Sequence, residues 1–140
     1  MKKILLLLII AAGFAACGGN DKVSKKLDDK AYKEQKDGLA EKERRSPLAF
    51  LTVTSSDRRN IWGQTVVKGE IRNTASICSY KDVRLKLLYY GKEGKQVANH
   101  EDVYEDVIAP GGSNRFKAKF KTPRGTDSVA VSIMSAVVVK

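Results

Sequence analysis

The sequence predicts an all-β domain over residues 48–140, an antiparallel β-sandwich of six to seven short strands. Three observations lead there. Apolar and polar residues alternate with a period of two in several stretches, the mark of half-buried strands. Turns rich in glycine and proline separate those stretches: Gly91-Lys92-Glu93-Gly94, Pro110-Gly111-Gly112-Ser113 and Pro123-Arg124-Gly125. No part of the region sustains a helical period, and strands with one apolar side need a second sheet to cover it.

The chain ahead of that domain divides in two. Met1-Lys2-Lys3 and the unbroken apolar run from Ile4 to Ala12 read as a secretory signal peptide over residues 1–16. As helix the run rises only about 14 Å, against a hydrocarbon core of about 30 Å. It is too short to span a bilayer. Phe14-Ala15-Ala16-Cys17 resembles the bacterial lipoprotein cleavage box, a bulky apolar residue and two small ones before a cysteine. The resemblance implies cleavage before Cys17, lipidation of that residue, and a membrane held as partner through its acyl chains. Each buried methylene adds about 0.8 kcal/mol to such an anchor. Gly18, where Asp would retain a lipoprotein at the inner membrane, implies by the same resemblance an outer-membrane place in the cell envelope. The periplasmic and the surface-facing leaflet both stay open.

Residues 17–47 are expected to form a tether. Residues 18–47 hold nine bases, seven acids and only six apolar residues, too few to bury a helix face. Pairs such as Asp29/Lys33 and Lys30/Glu34 support a helix by a few tenths of a kcal/mol, roughly. Gly38 opposes it by about 1 kcal/mol relative to Ala. A frayed helix or a flexible spacer follows.

From residue 48 the period becomes two. Leu48 to Ser55 is a first candidate strand. Val67, Gly69, Ile71 and Asn73 share a face opposite Lys68, Glu70 and Arg72. Val83, Leu85, Leu87 and Tyr89 oppose Arg84 and Lys86. Gln96 to Ile108 is a further candidate. Phe116, Ala118 and Phe120 oppose Arg115, Lys117, Lys119 and Lys121, and Val129, Val131 and Ile133 oppose Ser128, Ala130 and Ser132. A domain of this size buries about 60–65% of its unfolded surface and needs no disulfide.

Several of these pieces resemble one family. Gly69-Glu70-Ile71-Arg72-Asn73-Thr74, Tyr80-Lys81-Asp82-Val83-Arg84-Leu85, Leu88-Tyr89-Tyr90-Gly91 and Ala109-Pro110-Gly111-Gly112 ahead of Phe116 are similar to the FxLYD domain of prokaryotic envelope lipoproteins. Gly91 stands where that family has Asp. The resemblance spans about residues 61–136 and implies an immunoglobulin-like sandwich in an envelope setting. It brings no catalytic residues to transfer.

Candidate chemistry is sparse. With Cys17 lipidated, Cys78 has no disulfide partner, and no His lies near it in sequence to activate it. A small buried hydrophobe is its expected role. His100-Glu101-Asp102-Val103-Tyr104-Glu105-Asp106 joins the single His to a dense acidic run. A small metal-dependent hydrolase built on His100 is the alternative function, against a solvated edge strand. Arg115, Lys117, Lys119 and Lys121 line one strand face, a candidate contact for anionic envelope polymer or lipid. The bland account has the acids of the Glu101–Asp106 run neutralising them across strands. Export leaves nucleic acid no place as a partner. Trp62, after Asp57-Arg58-Arg59-Asn60, is a candidate exposed aromatic contact; a core-closing Trp is the commoner arrangement. No catalytic residue, metal or cofactor is assigned. The function expected is a membrane-anchored envelope lipoprotein with a non-catalytic binding or scaffold module, its partner an envelope protein or polymer.

Overall fold

The computed structural model describes residues 21–139, with side chains from Asp28 onward. The expected signal peptide and Cys17 lie outside the described residues. The elements run α1 (Asp21–Arg45), a 3-10 turn (Pro47–Ala49), β1 (Leu51–Arg59), β2 (Gln64–Asn73), β3 (Tyr80–Tyr90), β4 (Gln96–Tyr104), β5 (Ser113–Lys121) and β6 (Ser128–Val138). The strands form two antiparallel three-stranded sheets, ordered β1-β2-β5 and β4-β3-β6. The expected sandwich is present with six strands. Each sheet contributes a hairpin, β1–β2 and β3–β4, and the last two strands are dealt one to each sheet.

The core forms where the alternation places it. Val67 and Ile71 of β2 and Phe116 of β5 meet Val83, Leu85, Leu87 and Tyr89 of β3. Gly69 lies under Phe116, where a Cβ would collide with the Phe116 ring and with the Thr54 carbonyl. Asn73, on the same inward side, is fully buried. Its Nδ2 donates to the carbonyls of Cys78, Ile108 and Ala109 at 2.9, 3.1 and 3.1 Å, and its Oδ1 accepts from Ala75 N at 2.9 Å. One side chain thus satisfies the backbone of two connections that cross between the sheets, as buried polar groups require. Gly94, Gly111 and Gly125 take positive φ in the three turns read from the sequence.

Two compact units divide at residue 33, inside α1. The first, where described, is helix with exposed side chains. The second begins at Glu34 and includes the last turns of α1 with the sandwich. Of the frayed helix or flexible spacer expected over 17–47, the described part is helix: α1 continues through Gly38, and its last turns are docked, with Ala40 and Glu43 buried. Lys42, Arg44 and Arg45 suit the negative end of the helix dipole, and Glu41 pairs with Arg45 one turn on. Pro47 stops the helix, since the residue before a proline leaves the helical region.

The docking is polar. Glu43 accepts from three successive backbone amides, Ser76 at 2.7 Å, Ile77 at 3.0 Å and Cys78 at 2.8 Å. The Tyr80 hydroxyl donates to the Glu43 carbonyl at 2.9 Å. Burial raises the Glu43 pKa, but the three amides outweigh it and hold the carboxyl below its usual range. Burial, then the charge Cys78 takes on once ionised and the Glu43 charge, pushes Tyr80 up to about 12.

Candidate functional site

The two sheets differ sharply in charge. The β1-β2-β5 strands contain eight Lys and Arg and two acids, net +6. The β4-β3-β6 strands contain three of each and are neutral, as are the remaining residues of 48–140, with four of each. The whole excess charge of the domain therefore belongs to one sheet.

Register sorts that charge onto one face. The inward side of β2 and β5 is taken by Val67, Ile71, Phe116 and Ala118, so the alternate residues point outward. Across the outer face, Thr52, Arg72 and Ser113 form one row. Thr54, Glu70 and Arg115 form the next, then Ser56, Lys68 and Lys117, then Arg58, Val66 and Lys119, with Gln64 and Lys121 last. Seven cations share the face with one acid, Glu70. Lys68 and Lys117 stand directly opposite each other, a cross-strand like-charge pair that opposes folding. Among the described residues, none of the seven has a carboxylate within ion-pair distance. An open depression of about 380 Å³ lies on this face, lined by Thr54, Ser56, Lys68, Glu70 and Arg115 among others.

The acidic run does not neutralise it. β5 pairs only with β2, whereas β4 is an edge strand of the other sheet, so Glu101 and Asp102 have no register with Lys117 to Lys121. That expectation is corrected by topology: strand alternation assigns faces within a sheet and is silent on which strands share one. Arg115, Lys117, Lys119 and Lys121 are all exposed, as expected, and Lys68, Arg72 and Arg58 join them from neighbouring strands.

The His100 row runs along one side of the edge strand β4, with Asp102 opposite Leu85 and Tyr104 opposite Val83. His100 stands opposite Leu87 and meets the ring of Phe120 on the other sheet, centroids 4.0 Å apart and tilted by 49°. Tyr104 is half-buried, and its pKa is raised first by burial and then by Asp106. Among the described residues, no group of three or more His, Cys, Asp or Glu converges as a metal would require. Cys78 is free and buried, with Sγ 3.7 Å from the Ala40 carbonyl. Burial, then the nearby Glu43 carboxylate, raises its pKa and keeps the thiol protonated.

Trp62 lies on the surface, 78% exposed, beside Ile61 at 93%. Both sit on the β1–β2 turn, which Asn60 organises: its Oδ1 accepts from Trp62 N at 3.0 Å and Gln64 N at 2.9 Å, and its Nδ2 donates to Gln64 Oε1 at 2.9 Å. Gly63, at φ +69, lets the chain reverse. The Gly63 carbonyl accepts from Thr122 N at 3.1 Å, tying the turn to the end of β5. The sequence flagged Trp62 but not its neighbour; the Asn-x-x-Gly spacing around Ile61 is the local signal that both belong to a tight turn. Glu43 left no such signal, because its partners are backbone amides.

No family model matches the chain, and no curated protein does. Among solved structures, IrmA from Escherichia coli is similar at a TM-score of 0.48 and 7% identity, covering 65% of this chain and 85% of that one. Among the described residues, no helix is long and apolar enough to cross a membrane.

Proposed function

We propose that the chain is a lipid-anchored envelope protein whose sandwich is a non-catalytic binding module, with the outer face of β1-β2-β5 as its contact surface for anionic envelope material. The observation that supports this is the concentration of the domain's entire +6 on one sheet, seven cations outward, with no carboxylate paired to any of them among the described residues. Folding alone gives no reason to set Lys68 against Lys117. An anionic partner does, since it relieves the repulsion on binding. The Thr54 and Ser56 hydroxyls in the depression beside Lys68 and Arg115 add neutral donors to the same surface.

The test is salt-dependent binding of residues 18–140, which keep every described element, to dextran sulfate and to phosphatidylglycerol vesicles. Raising salt from about 0.01 M to about 0.15 M shortens the screening length from about 30 to about 8 Å. Affinity should fall accordingly. Each surface cation contributes about 1 kcal/mol at an anionic surface, so replacing Lys117, Lys119 and Lys121 together by Ser should weaken binding about 100-fold. Binding indifferent to salt and to the triple substitution would refute the assignment of this face.

A further inference from the structure

The cationic face ends in an apolar tip. Ile61 and Trp62 adjoin on the turn that closes β1 onto β2, and they are the two most exposed large apolar side chains among the described residues. Exposed Val97, Val103 and Val107 are single aliphatic residues elsewhere on the surface. The turn is held in place: the Asn60 side chain makes three hydrogen bonds within it and Gly63 a fourth to Thr122. A preset turn that leaves Ile and Trp in water pays for that exposure with nothing inside this domain.

The charges around the tip select its occupant. Arg58, Lys119 and Lys121 are the outward cations of the two rows nearest the turn. Asp57 lies on the opposite side of β1, in a cleft with Arg59, Thr126 and Asp127 that Arg58 borders from the cationic face, and Arg59 donates to the Thr126 carbonyl at 2.6 Å. An apolar tip with cations above it, and with the one acid of the face, Glu70, outside the two rows nearest the turn, matches a layer that is apolar within and anionic at its surface. Trp settles at the level of lipid head groups, and an aliphatic neighbour reaches the acyl boundary beneath it.

We propose that Ile61 and Trp62 insert into the interfacial layer of an anionic lipid bilayer while Arg58, Lys119 and Lys121 meet its head-group phosphates. This rests on the cationic face being a contact surface and names the surface it contacts. The tip lies at the end of β1 away from the α1 joint, about 30 Å along the strand for nine residues. The bilayer is therefore met at the end of the domain remote from that joint.

Trp62 is the single tryptophan of the chain, so its emission reports the tip alone. Residues 18–140 are mixed with phosphatidylglycerol vesicles, with phosphatidylcholine vesicles and with dextran sulfate, which has the charge but no apolar interior. Emission should shift to the blue and be quenched by brominated acyl chains on phosphatidylglycerol only. Ile61→Ser, at a position too exposed to unsettle folding and with no change of charge, should weaken vesicle binding about ten- to 100-fold and leave dextran sulfate binding unchanged. Salt-sensitive vesicle binding with unshifted, unquenched Trp62 would overturn insertion and leave the cationic face standing. An equal blue shift on dextran sulfate would overturn the bilayer as occupant. Binding to neither anionic probe would overturn both this inference and the reading of the face beneath it.

Discussion

Burying the Glu43 carboxylate opposes its charge, and the amides of Ser76, Ile77 and Cys78 more than compensate. Because the folded pKa lies below the ordinary 4.5, this group contributes its full stability above that value. The contribution is lost as pH falls through 4.5 toward the folded pKa. Glu43→Gln should cost about 2 kcal/mol near neutrality, and its urea-unfolding stability should decline less steeply than wild type between about pH 5 and about pH 3. Equal slopes in that window would show that another carboxylate governs the acid limb. Residue by residue, the sequence was legible where a side chain meets apolar neighbours. The Gly69-x-Ile71-x-Asn73 spacing marked a strand end, and the structure supplies the cause: a glycine under the Phe116 ring, a core isoleucine and an asparagine holding two loops. Glu43 was not legible, because three amides brought together by a loop leave no trace in one dimension.

Strands and helix were legible to different degrees for one reason. Alternation reports burial of one side of a strand, and β2, β3 and β5 bury the sides it indicates. The helix was expected to fray because six apolar residues cannot cover a face, yet its attachment uses a carboxylate and a backbone carbonyl. Hydrophobic pattern does not register such a joint. Two glycines in these elements should respond in opposite senses to alanine. Gly69→Ala forces a methyl group into Phe116 and the Thr54 carbonyl and should cost about 1–3 kcal/mol. Gly38 has open space around its Cβ position within α1, so Gly38→Ala should raise helicity and stabilise by up to about 1 kcal/mol. Urea midpoints and far-ultraviolet circular dichroism measure both. A Gly69→Ala domain as stable as wild type would mean that Phe116 moves aside freely.

For the molecule as a whole, the +6 of residues 48–140 can be counted from the sequence, but its confinement to one sheet cannot. That depends on β5 joining β2 while β4 joins β3, a pairing fixed by the crossovers. Once the strands are sorted, an unremarkable +6 becomes a charged plate backed by a neutral one. The proposed anchor makes its own prediction at this scale: labelled palmitate should enter the native protein in bacterial cells and disappear with Cys17→Ser. Retained label in that variant would place acylation elsewhere or nowhere on this chain.

The joint at Glu43 also bears on mechanics. β1 is an edge strand with β2 as its only partner in the sheet, and an edge strand pulled from one end gives way one bond at a time. Force arriving along α1 meets the Glu43 clamp and the Tyr80 hydroxyl before it reaches Leu51. The load passes to the β2–β3 connection and, through Tyr80, to the start of β3, the middle strand of the opposite sheet. Tension applied by the proposed anchor would thereby enter the domain beside a central strand and not at the edge strand β1.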